Sequence, residues 1–71
     1  SYAKAYLEKD DKSNLLVESV ASIRPLDGEC LLRTLFGEQK EVKAIIKEID
    51  FLNSTITLKA LNTTAETIPS T

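Results

Sequence analysis

Apolar residues recur at every second position along most of the chain, and that period of two marks half-buried β-strands. Over Tyr2 to Lys9, Ala3, Ala5 and Leu7 share one face while Tyr2, Lys4, Tyr6 and Glu8 share the other. Asp10 to Asn14 has no apolar residue and predicts a turn. Leu15, Leu16 and Val17 open a second strand that Glu18 and Ser19 interrupt. Val20 to Leu26 resumes it, with Ala21 and Ile23 facing one way. Pro25 lacks a backbone donor and so belongs at an edge or near a strand end. Asp27-Gly28 then supplies the positive φ angles of a tight hairpin.

Glu29 to Phe36 returns with Cys30, Leu32, Thr34 and Phe36 on one face and Leu31, Arg33 and Leu35 on the other. Both faces are partly apolar, which suits a strand in a small barrel or at an interface. The stretch after Gly37 is ambiguous. Val42, Ile45, Ile46 and Ile49 stand at i, i+3, i+4 and i+7, the spacing of an amphipathic helix, with Glu38, Lys40, Glu41, Lys43, Lys47 and Glu48 on its outer side. A strand here requires a phase slip between Ala44 and Ile45, the signature of a β-bulge. Beyond a turn at Asn53-Ser54, Ile56 and Leu58 alternate with Thr55 and Thr57 as a final strand. From Asn62 the chain is mainly Thr, Ala, Ser and Pro, and 62–71 reads as a flexible tail after a 1–61 domain.

Five or six short strands and tight turns predict an all-β fold, a small, strongly bent antiparallel barrel. At 71 residues one core is expected. A domain of this size buries only about 60% of its unfolded surface, so a second copy, by adding apolar burial, is a natural complement.

Composition narrows the chemistry. The chain has no His and a single Cys, Cys30. Without His it cannot build a Ser-His-Asp or Cys-His arrangement, nor a closed zinc site, and the reading is that it is not an enzyme. Nine basic and eleven acidic residues give a net charge of −2, which opposes unspecific nucleic-acid binding. There is no secretory apolar region and no membrane-length segment. A lone Cys suits a reducing compartment, so a cytoplasmic location is expected.

The run Leu31-Leu32-Arg33-Thr34-Leu35-Phe36-Gly37-Glu38, with Ala3-Lys4-Ala5-Tyr6-Leu7-Glu8 before it and Lys47-Glu48-Ile49-Asp50 after it, resembles the CooT family. The resemblance covers Ser1 to Leu58 and rests on the order of these anchors rather than on one motif. It implies an Sm-like (SH3-like) barrel, with the ambiguous 40–50 stretch as a long bent strand, and a bulged strand is therefore expected there. It also implies a homodimeric, nickel-binding accessory protein, metallochaperone-like, for maturation of carbon monoxide dehydrogenase in anaerobic metabolism. Carbon monoxide dehydrogenase or its maturation proteins would be partners.

In that family the ligand is a Cys directly after the initiator Met, at the dimer interface, where two copies hold one Ni(II). Thiolate suits late divalent metals, and a two-fold axis turns one ligand per chain into a pair. Counting back without gaps from Ala3-Lys4, this position is Ser1. A serine hydroxyl is a hard oxygen donor that keeps its proton near neutral pH. The resemblance therefore implies Ni(II) as cofactor, while the chain as written should bind it weakly if at all.

Other candidates have plainer readings. Cys30 reads as a small buried hydrophobe. Tyr2 and Tyr6 could stack bases, but covering apolar surface at an interface suits them better. Arg24 and Arg33, on neighbouring strands, are too few for an RNA groove. Asp10, Asp11, Asp27 and Asp50 fit turn chemistry better than a calcium site. An RNA-binding Sm-like module and a protein–protein adaptor stand as alternatives to the nickel reading.

Overall fold

The structure is a computed structural model that describes residues 2–61. Ser1 and the tail expected at 62–71 lie outside the described residues. Six strands follow in order: β1 Ala3–Lys9, β2 Lys12–Leu26, β3 Glu29–Thr34, β4 Gln39–Val42, β5 Ala44–Asp50 and β6 Thr55–Ala60. They form one sheet, β4-β3-β2-β1-β6-β5, that curls into a half-barrel about a single core.

The expected all-β, strongly bent fold is present, with one difference in strand direction. Every pairing is antiparallel except β1–β6, which is parallel, with Lys4 opposite Thr55 and Glu8 opposite Lys59. The cause is a missing reversal. β4 pairs with β3 and β5 pairs with β6, yet only Lys43 separates β4 from β5. The chain therefore bends from one sheet edge to the other without turning back, and β6 returns in the direction of β1.

β2 is a single strand. The interruption at Glu18-Ser19 is a bulge with Ser19 at φ 59°, and a second shift follows between Val20 and Ser22. An extra residue in one strand moves the following side chains to the opposite face. Hence Val17, Val20 and Ile23, three apart, all turn toward the core, while Ala21, expected to share the face of Ile23, is exposed. The turn expected over Asp10–Asn14 is tighter: Asp10 (φ 52°) and Asp11 (φ 66°) close it, and Lys12 already pairs with Lys9. In the β2–β3 hairpin only Gly28, at φ 75°, has a positive angle; Asp27 does not.

The 39–50 stretch is extended, but as two strands broken at Lys43 with different partners rather than the one long bent strand expected, and the helical spacing has a different origin. Val42, Ala44 and Ile46 alternate toward the core without the slip expected between Ala44 and Ile45. The slip falls between Ile46 and Glu48, where Lys47 is the extra residue opposite Leu58-Thr57. Ile45, opposite Lys59, lies on the outer face. Past the bulge Ile49 pairs with Ile56 at the sheet end, where it stays 39% exposed.

The core is Ala5, Val20, Cys30, Leu32, Val42, Ala44, Ile56 and Leu58. Three of the four residues expected on one face of β3 are buried, but Phe36 is 77% exposed. The strand ends at Thr34, whose buried Oγ1 accepts hydrogen bonds from the backbone N–H groups of Phe36 and Glu38, each at 3.2 Å. Gly37 at φ 86° completes that turn and throws Phe36 outward.

Candidate functional site

The expected ligand position, Ser1, precedes Tyr2 at the start of β1, so the surface around that start is the candidate site. A cleft of about 360 Å³ opens there, between the first residues of β1, the Val20–Ile23 segment of β2 and the β5–β6 turn. Its floor is Val20 and Ile56; Tyr2, Ile23, Ile49 and Phe51 line its sides. The lining includes large apolar side chains that the monomer leaves in water: Tyr2 is 50% exposed and Phe51 87%, and neighbouring Leu52 is 91% exposed.

The β5–β6 turn is built from Asp50. Its Oδ1 accepts from the N–H groups of Leu52 (3.0 Å) and Asn53 (3.2 Å), and its Oδ2 accepts from Asn53 Nδ2 at 2.8 Å. The side-chain hydrogen bond from Asn53, then the backbone bonds, hold the Asp50 carboxyl below its usual range. Ser54 follows at φ 53°, and its carbonyl accepts from the N–H of Lys4 at 3.0 Å. The turn thus fastens onto β1 close to its first residue.

The remaining candidates are scattered. Cys30 is buried in the core with its thiol donating to Ala44 O at 3.3 Å, and burial pushes its pKa up, the reverse of a reactive or ligating thiol. Tyr6 is half-buried on β1 and does not line the cleft. Arg24 pairs with Leu31 and Arg33 with Ser22, a diagonal arrangement on exposed positions. Asp10 and Asp11 lie in a separate hollow with Lys59 and the exposed Glu8–Lys47 ion pair (2.6 Å). Among the described residues, no group of three or more His, Cys, Asp or Glu could hold a metal. Phe51 and Leu52 were not among the sequence candidates, although two large apolar residues ahead of an Asn-Ser turn are out of place in a solvated loop.

The described residues include no helix long and apolar enough to cross a membrane. A comparison with curated proteins finds no match. The family model for CO dehydrogenase accessory protein CooT matches residues 2–59. The fold is similar to the crystal structure of a protein assigned as CooT from Carboxydothermus hydrogenoformans, with a TM-score of 0.77 and 31% sequence identity over 86% of this chain and 98% of that one. With most of its length matched by the family model and by a solved structure of the same fold, the chain belongs to the CooT family of CO dehydrogenase accessory proteins.

Proposed function

We propose that this chain serves a CO dehydrogenase system as a non-catalytic cytoplasmic accessory protein, working as a homodimer through the cleft at the start of β1. The observation that carries the reading is the apolar lining of that cleft, with Tyr2, Ile49 and Phe51 left in water by a single copy. A domain with so small a core gains from covering them. A two-fold interface on this face brings the two copies of β1 together at their first residues and makes a pair of each group there.

Ni(II) is the cargo this reading implies. Position 1 is where a thiol would supply one sulfur donor per chain, and Ser1 does not supply it. Cys30 cannot substitute from within the core. Calorimetric titration of Ni(II) into the chain and a Ser1→Cys variant tests the metal part. One ion per dimer in the variant, with little or no binding by the chain as written, supports it. Failure of both to bind, or one independent site per monomer, refutes it.

A further inference from the structure

We propose that Asp50 is a positioning residue for the N-terminal face, a role that rests on the homodimer reading above. The large side chains of the β5–β6 turn contribute little to its shape. Its two large side chains, Phe51 and Leu52, are 87% and 91% exposed, so burial fixes neither of them. What closes the turn is the Asp50 carboxylate, which gathers the Leu52 and Asn53 N–H groups and the Asn53 side-chain amide. Bonds to an ionised acceptor are roughly twice as strong as neutral ones.

The closed turn has two consequences at the cleft. It holds Ser54 in a left-handed conformation, which sets the carbonyl that receives the Lys4 N–H. Lys4 is the second residue of β1, so this bond fixes the strand beside Tyr2. The turn also presents Phe51 along the same cleft wall as Tyr2 and Ile49. One carboxylate therefore sets both the position of the first strand and the aromatic edge that a second copy would meet.

Asp50→Ala and Asp50→Asn in the full chain test this by amide hydrogen exchange and sedimentation equilibrium. In Asp50→Ala the Lys4 amide should exchange about tenfold faster, the scale of losing charge-assisted bonds at one turn, while the core amides of Leu32 and Leu58 hold within about twofold. Self-association should weaken by about tenfold as well, and Asp50→Asn, which keeps one carbonyl acceptor, should recover part of both effects. Unchanged Lys4 exchange overturns the proposal, and so does a rise shared equally by Leu32 and Leu58. If the unaltered chain is monomeric throughout, the homodimer reading fails, and the Lys4 result still decides the role of Asp50.

Discussion

Replacing Phe51 by Ala is the sharpest test of the proposed dimer face. The ring is 87% exposed in the single copy, so the change removes almost no packing from the fold and stability should hold. In a two-fold interface the same side chain is buried twice. Covering a Phe side chain is worth about 1.5–3 kcal/mol, so losing both copies costs about 3–6 kcal/mol. At 1.4 kcal/mol per factor of ten, the dimer dissociation constant should rise by two to four orders of magnitude, roughly 10²- to 10⁴-fold. Sedimentation equilibrium over a wide concentration range reads this directly, with thermal unfolding as the check on the fold. Phe36→Ala is the control, because Phe36 is also a mostly exposed ring, at 77%, but stands on the Thr34–Glu38 turn and does not line the cleft. A dimer that survives Phe51→Ala and dissociates with Phe36→Ala would refute the assignment of the interface to the β1 cleft.

Three further outcomes follow from the core and the turns. Leu32→Ala removes a fully buried side chain and should cost about 2–5 kcal/mol by urea denaturation, most of the stability a domain this small holds; a loss below about 1 kcal/mol would contradict the packing described. Thr34→Val keeps the shape but takes the protein acceptor from the Phe36 and Glu38 N–H groups; water replaces it in part at these exposed residues, so the loss should be about 0.5–1.5 kcal/mol, whereas Thr34→Ser should retain most of the stability in the same assay. Since Asp50 has a folded pKa below its ordinary 3.8, the stability it lends is present above that value and is lost as pH falls through the lower, folded pKa. Lys4 exchange, corrected for its intrinsic pH dependence, should accelerate in that acid window, and Asp50→Asn should show no such step.

Period-two alternation placed most of the strands, because inward positions on a half-buried sheet are apolar whatever the fold. Ala3, Ala5 and Leu7 all turn to the core as their spacing requires. Alternation fails at bulges, where one extra residue reverses the phase. Val17, Val20 and Ile23 sit three apart because two irregularities separate them, and Ile46 and Ile49 straddle Lys47 in the same way. Three-residue spacing also belongs to a helix, so the sequence pattern could not distinguish the two. The parallel β1–β6 pairing was hidden for a related reason. It depends on whether Lys43 reverses the chain or merely bends it, and a lysine without a flanking Gly or Pro carries no signal for either.

The candidate site was legible in its chemistry and illegible in its surface. The absence of His and the solitary Cys30 bounded what one chain could do, and the burial of Cys30 beneath the Ala44 carbonyl agrees with its reading as a small core residue. The Phe51-Leu52 pair escaped notice because apolar residues in sequence default to the core, and only the fold shows that these two have no core to enter. Once the β5–β6 turn is placed against the start of β1, the same pair becomes the most exposed apolar feature beside that strand. A protein with few ligands and a small interior has its surface left to work with. On this reading the Asp50 turn is what makes that surface definite, since it ties the exposed aromatic edge and the first strand to a single carboxylate.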